Sequence, residues 1–412
     1  MRKKFAFCVI APTLFSCVPL TAQANTSNIV ELLKTSSVNK QNIRSQMLAE
    51  EIAREFISSQ NSRYSNWKTA KIETTIPLYD LNDQLQSYEI QLVNELAEPV
   101  GYIIIEANQE RSGVTEFTTI GVAPSIDLQY FFEQETGLTS KNKNIKFIWN
   151  GPGTSGLLWL NGQNEQKLIS LNPNLRIDDF KIIREKSLTR QHQYLSAKHS
   201  NFYAPATLET QSDNIIDWSF KPFFQEKRTW NNSSNENNYC YAGCTPIAAA
   251  MLIDFYDRNG YPHLIGDDTQ QDHQADSTLM RHTIDELRKN LGTYCRSDEQ
   301  GGTAQSASVK LVDYMNTRSE QQWDAKRISY ATMTTFSYII REIKAQRPVI
   351  VHYHTKGNIG TNHSAIASGY IYGGYWSDNF LTVRTGWSRQ IEKTYNIDNM
   401  GSVAATLVSK TN

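Results

Sequence analysis

No sign of charge dominates this chain: 41 lysines and arginines stand against 42 aspartates and glutamates. That balance excludes the broad positive field with which proteins gather nucleic acid or anionic membrane surfaces. Long apolar runs are missing too. Beyond the N-terminal segment nothing approaches the roughly 18 unbroken apolar residues that cross a bilayer, so no membrane span is expected. Cysteine is scarce, with five in 412 residues, at positions 8, 17, 240, 244 and 295. A metal site is not expected either. His263, Asp267, Asp268, Asp272, His273 and Asp276 crowd one stretch, but their spacing matches no zinc or calcium pattern and reads as a solvated loop. No cofactor is expected.

What is present begins with an address. Met1 to Lys4 is basic, Phe5 to Leu20 is largely apolar, and Ala22-Gln23-Ala24 follows the small-x-small rule. Residues 1–24 therefore read as a secretory signal peptide cut after Ala24, which predicts a secreted or periplasmic protein. Leu14 to Cys17 is a poor match to a lipid-attachment motif, because Phe15 is unusual there; a lipid anchor at Cys17 is not expected. Removal of the segment takes two cysteines with it. Three remain, and an odd number in an exported chain suggests one disulfide and one free thiol.

Three further regions follow. Residues 25–184 read as an α+β domain. An amphipathic helix is predicted from about 45 to 58, with Met47, Leu48, Ile52, Ala53, Phe56 and Ile57 on one side. Strands are predicted over Ile76 to Tyr79, Gln86 to Val93, Tyr102 to Ala107, Phe117 to Val122, Lys146 to Trp149 and Leu157 to Trp159. This region carries no nucleophile, metal cluster or phosphate loop. Residues 185–214 are polar and aperiodic, which reads as an exposed linker where a protease would cut. Residues 215–412 are long enough for a second domain. Helices are predicted around Cys244, over Ser277 to Leu291, through Leu311, Val312 and Met315 with Thr303 as the cap, and over Phe336 to Ile343. Strands then follow over Pro348 to Tyr353, His363 to Tyr372 and Phe380 to Val383. Helices before strands make this second domain α+β as well.

The stretch from Tyr239 to Tyr256 organises the second domain. Gly243 frees the backbone for an unusual angle, Cys244 opens a helix, and Pro246 suits its first turn. Ile247, Met251 and Phe255 supply a buried face. A thiol at a helix N-terminus feels the positive end of the dipole, which favours the thiolate. Thiol acyl chemistry also needs a base and donors for the oxyanion. His363 is the best-placed base, where the polar Asn362 leads into the apolar strand Ala365 to Tyr370. His352 and His354 share a face of the previous strand and read as structural or site-lining.

Gly243 to Met251, followed by Tyr261-Pro262, resembles the nucleophile helix of streptopain-family cysteine peptidases, within the papain-like group. Asn362 to Tyr370 resembles the catalytic histidine strand of that family and of bacteriocin-processing-type peptidases. Val383 to Trp387 is similar to the Asn-Trp-Gly-Trp turn of streptopain relatives. The helix at 45–58, Ser87 to Val93 and Gly101 to Asn108 look like the propeptide of this group. The resemblance implies a papain-like catalytic domain with N-terminal helices and a C-terminal antiparallel sheet, preceded by an inhibitory α+β propeptide. It implies a secreted cysteine endopeptidase made as a zymogen, acting on protein or peptide substrates. Cys244 would be the nucleophile, His363 its proton partner and Trp387 the wall of the site.

Two positions depart from the family pattern. Arg384 stands where an Asn or Asp usually orients the histidine, and it offers no acceptor; Asp378 or Asn379 could serve instead. Asn237 or Asn238 occupies the neighbourhood of the usual oxyanion glutamine, with Gln225 further upstream. Papain relatives often carry a bridge placed like Cys240–Cys295, which would close a loop of about 55 residues, stabilise by roughly 3–4 kcal/mol and pin the nucleophile loop. A Cys240–Cys244 bridge is the rival and would silence the enzyme. Two other functions use the same features: a papain-fold amidase, deamidase or transglutaminase-like toxin, and a catalytically weak secreted binding protein, for which Arg384 is the main support.

Overall fold

The structure is a computed structural model. It describes residues 42–411 except 110–112, 141–144, 152, 162, 164, 172–210, 215–225, 231–238, 266–276, 297–298, 356–361, 374–377, 388–391 and 398–399. Residues 1–24, expected to be a signal peptide, and nearly all of the expected linker, with its processing site, lie outside the described residues.

The chain opens with α1 (Gln46–Gln60), where the Ser45 hydroxyl accepts from the Leu48 N–H at 3.2 Å and so caps the first turn. Its buried face is Ala49, Ala53 and Ile57 at helical spacing. An antiparallel meander follows: β1 (Lys71–Tyr79), β2 (Leu85–Val93), β3 (Pro99–Glu106) and β4 (Val114–Thr118). The β1–β2 turn forms because the Asp80 carboxylate accepts from the Asn82 and Gln84 N–H groups. At Gly101, φ is +114° and a Cβ would sit 2.0 Å from the Thr118 carbonyl oxygen, so only glycine fits against β4. Next come α2 (Pro124–Thr136), begun by proline and ended by left-handed Gly137, and β5 (Ile145–Trp149), β6 (Ser155–Leu160) and β7 (Gln166–Ser170).

The second half starts with the short strands β8 (Gln211–Asn214), β9 (Lys227–Thr229) and β10 (Tyr239–Tyr241). Then come α3 (Cys244–Arg258), α4 (Ser277–Asn290), β11 (Tyr294–Cys295) and β12 (Gly301–Gly302). A 3-10 turn at Gln305–Lys310 runs into α5 (Leu311–Asn316), followed by β13 (Trp323–Ile328) and α6 (Thr332–Lys344). The chain finishes with β14 (Val349–Thr355), β15 (Asn362–Tyr372), β16 (Asn379–Arg384), β17 (Lys393–Asn396) and β18 (Met400–Lys410).

The α+β expectation holds, on one large sheet. Its strand order is β13-β18-β14-β15-β16-β17-β4-β3-β2-β1-β5-β6-β7, with β8 also against β15. All pairings are antiparallel except β1 with β5. The sheet runs without a break from one half of the sequence to the other through β4 and β17, where Phe117 faces Thr394 and Glu116 faces Tyr395. An aromatic cluster crosses the same junction: Phe56, Trp67 and Phe117 of the first half meet Phe380 of β16. The main core takes in α3: Ile247, Ala248 and Met251 belong to one buried cluster with Ile350 and Ile366, which share the sheet face of Ser364. Each large side chain buried there contributes about 1.5–3 kcal/mol.

Thr303 is not the cap of its helix. Its hydroxyl pairs with Thr293 Oγ1 at 2.7 Å, and the 3-10 turn begins after Ala304 without a side-chain cap. The strand expected over Phe117 to Val122 lies earlier, because the Thr118 hydroxyl bonds the Ile120 carbonyl and turns the chain.

Candidate active site

The loop before α3 is held from three sides. Gly243 takes φ +92° and opens the helix. Gly301 passes so close that a Cβ there would lie 2.5 Å from the Tyr241 oxygen and 2.6 Å from the Gly243 nitrogen, so two glycines let the segments cross. A disulfide joins Cys240 to Cys295, and Cys244 is left as a free, half-buried thiol at the first residue of α3. Beneath the loop Arg288 is fully buried. It donates to the carbonyl oxygens of Ala242 and of Tyr241, the latter at 3.2 Å, and stacks 4.5 Å from the Trp230 ring. The Trp230 indole N–H donates to the Cys240 carbonyl at 2.8 Å. Burial pushes the Arg288 guanidinium down to about 10, which still leaves it charged at neutral pH. Sequence reasoning missed Arg288 and Trp230, since an arginine in the last turn of an amphipathic helix reads as a solvated end charge.

His363 is the second residue of β15 and is buried. In register it faces Tyr353 of β14, so both rings lie on one side of the sheet, with centroids 5.6 Å apart and edge to face. Trp387 covers the imidazole at 3.8 Å between centroids. The His363 Nε2–H donates to the main-chain carbonyl of Thr385 at 2.7 Å, because that oxygen can only accept. Nδ1 has no hydrogen-bond partner among the described residues. The ring is thus held in the Nε2–H tautomer, with Nδ1 available as a base. Burial pushes His363 down to about 3, and nearby His352 adds to this against the Thr385 carbonyl, so the imidazole is neutral here.

Cys244 and His363 lie on elements that pack against each other, α3 and β15. The Thr245 hydroxyl lies 2.9 Å from the Ser364 hydroxyl, tying the first turn of α3 to β15 one residue from His363. Burial raises the Tyr353 phenol. The thiol and the imidazole are not hydrogen-bonded to each other.

The remaining candidates fall elsewhere. Asn379 Oδ1 accepts from the Gly373 N–H, and Asp378 Oδ1 accepts from the Asn396 amide. His363 bonds neither of them; a main-chain oxygen takes the orienting position. Arg384 is buried and faces Glu392 across 3.7 Å. Asn237, Asn238 and Gln225 lie outside the described residues, as do the acidic residues of the loop after His263. Trp387 does wall the histidine, and Gly153 of the first half packs on it: a Cβ at Gly153 would sit 2.6 Å from the indole. Among the described residues no helix is long and apolar enough to cross a membrane.

Comparison with known proteins adds the following. Among curated protein sequences none matches this chain. Two solved structures from Prevotella intermedia are similar to it. One is a prointerpain A fragment, 10% identical, covering 81% of this chain and 97% of its own at a TM-score of 0.43. The other is the active interpain A cysteine protease, 13% identical, covering 47% and 94% at a TM-score of 0.35. Residues 218–400 match the model of the Peptidase_C39 like family. Those residues contain both Cys244 and His363.

Proposed function

We propose that this chain is the latent form of an exported cysteine endopeptidase. One observation carries the reading. A free thiol at a helix N-terminus is tied, through Thr245 and Ser364, to the strand that holds a histidine in the tautomer a general base requires. Cys244 Sγ attacks the peptide carbonyl carbon, and its proton passes to His363 Nδ1. The C–N bond then breaks as His363 returns that proton to the leaving amine. Water hydrolyses the thioester and restores the thiol. The Cys244 N–H, at the helix start, offers one oxyanion donor; Asn237, Asn238 or Gln225 is expected to offer the second. Thr385 replaces the Asn or Asp side chain that usually orients the histidine.

Latency fits the engagement of the first half of the chain. Trp387 lies over His363, its ring tilted by 37°, and Gly153 packs on the indole. Release of residues 25–184, by a cut in the 185–214 linker, would free the indole and let Nδ1 meet the thiol. A signal peptide over residues 1–24 would deliver the chain to the exterior.

The test is Cys244→Ala in the full chain. Peptide hydrolysis is expected to fall by about a thousandfold or more, and the secreted chain should stay uncut. Retained hydrolysis and self-processing would sink the assignment. Sequencing of products separates this reading from amide transfer, since an endopeptidase creates new peptide N-termini whereas a deamidase or transglutaminase releases ammonia.

A further inference from the structure

Across the largely apolar core beneath α3 runs a line of five polar side chains. Thr245 Oγ1 lies 2.9 Å from Ser364 Oγ, which lies 2.8 Å from His352 Nδ1. His352 Nε2 lies 3.1 Å from Thr406 Oγ1, and Thr406 Oγ1 lies 2.6 Å from Ser308 Oγ. Ser308 donates to the Gln305 carbonyl at 2.6 Å. All five side chains are buried. The line thus joins α3, β15, β14, β18 and the 3-10 turn.

Counting protons fixes its direction. Each hydroxyl has one hydrogen to give. Ser308 gives its hydrogen to the Gln305 carbonyl, so it accepts from Thr406. Thr406 therefore accepts from His352 Nε2–H, which leaves Nδ1 as an acceptor. Ser364 must donate to that Nδ1, and Thr245 must donate to Ser364. One tautomer of His352 satisfies every member. Burial, with Arg327 nearby, pushes His352 down to about 3 and keeps it neutral.

We propose that His352 is a positioning residue for the Cys244–His363 pair. It lies on the face of the sheet opposite His363, since it pairs in register with Ser364 while Tyr353 pairs with His363. A one-residue slip of β15 on β14 would exchange the faces of Ser364 and His363, and a buried line that is satisfied only in this register opposes the slip. Through Ser364 and Thr245, His352 sets where the first turn of α3, and with it Cys244, sits against the histidine strand. A valine or leucine in its place would fill the space but leave the helix start free to shift.

The inference rests on the Cys244–His363 reading, and the experiment separates the two. The first-order rate at which the full chain processes itself is measured at pH 6 and pH 9 for wild type, His363→Ala, His352→Leu, His352→Gln and Thr245→Val. His352→Leu and Thr245→Val are expected to slow processing by about tenfold or more at pH 6. At pH 9, where an ordinary thiol ionises unaided, the deficit should shrink to about threefold. His352→Gln, which can still accept and donate, should recover most of the loss. A His363→Ala chain that processes at the wild-type rate overturns the catalytic reading itself. A His363→Ala chain that fails while His352→Leu and Thr245→Val stay within twofold of wild type overturns only the positioning role. An equal deficit at both pH values also overturns it, because that marks a loss of stability alone. Should His352→Leu not fold, Thr245→Val, which keeps the side-chain shape and removes one hydroxyl, decides the matter by the same limits.

Discussion

The two halves that share the sheet are built from different chemical stock. Residues 25–184 contain neither cysteine nor histidine; besides Arg44, the charged side chains buried in the first half are acids, with Glu89, Glu116 and Asp127 almost fully enclosed. The second half buries His352, His363 and the guanidiniums of Arg288 and Arg384, and it carries a disulfide and one free thiol. The first half therefore cannot perform thiol chemistry, yet it reaches the chemistry of the second. Glu116 accepts from Lys393 of β17 at 2.9 Å and from the Tyr102 hydroxyl at 2.5 Å, while its other oxygen takes the Gly153 N–H at 3.3 Å. Gly153 in turn packs on Trp387 and so on the ring that Trp387 covers. Reactive groups and the groups proposed to restrain them occupy separate stretches of sequence but adjacent strands.

The largest effect expected at this junction comes from Glu116→Gln. The Lys393–Glu116 pair has essentially no exposure on either side. Removing one charge strands the other in the interior, which costs about 3–5 kcal/mol. In a Cys244→Ala background, which keeps the chain uncut, denaturant unfolding should show that loss. Glu116→Gln combined with Lys393→Met should recover most of it, since no lone charge then remains. If the double variant is as unstable as the single one, the carboxylate matters through Tyr102 and Gly153 rather than through Lys393.

Breaking the Cys240–Cys295 disulfide sharpens the contrast from the other side. Its closed loop of 55 residues corresponds to roughly 3–4 kcal/mol in the chain-entropy model. Cys240→Ala with Cys295→Ala should speed amide exchange in α3 and α4, and leave β2 and β3 of the first half as slow as before. Equal loosening of all four elements would mean that the two halves open as one unit.

Much of each half was legible in the sequence, for reasons local to each stretch. The apolar periodicity from Met47 to Ile57 marked α1, and Gly243 with Pro246 marked the start of α3. What stayed hidden was non-local or carried by the main chain. Strand β4 meets β17 across nearly 280 residues of sequence, and β18 inserts between β13 and β14 from the end of the chain; neither pairing leaves a local pattern. The acceptor for His363 is a carbonyl, which every residue possesses, so a search among side chains turned to Asp378 and Asn379 instead. Arg288 and Lys393 are cations whose burial depends on partners far along the chain.

Acid should pull the halves apart by a smaller, graded effect, and the sign can be worked out. His352 and His363 are pushed down to about 3 in the folded chain, against about 6.5 when unfolded. Their contribution is complete above pH 6.5 and is lost as pH falls toward 3, because only the unfolded chain takes up the protons. Each histidine costs about 1.4 kcal/mol per pH unit across that window. Asp254, raised to about 6 by burial, works the other way below pH 6, and it offsets one of the two histidines. The first half has no histidine to lose, and burial raises its Glu89, so acidification relieves a penalty there. Between pH 6.5 and 4, amide protection factors, corrected for intrinsic exchange, should therefore fall in β14 and β15 while those of β2 and β3 hold steady. Replacing His352 with leucine removes one of the two groups and should flatten the dependence by about half before the Asp254 offset. A uniform loss of protection across all four strands would show that the junction at β4 and β17 binds the halves more tightly than their separate titrations divide them.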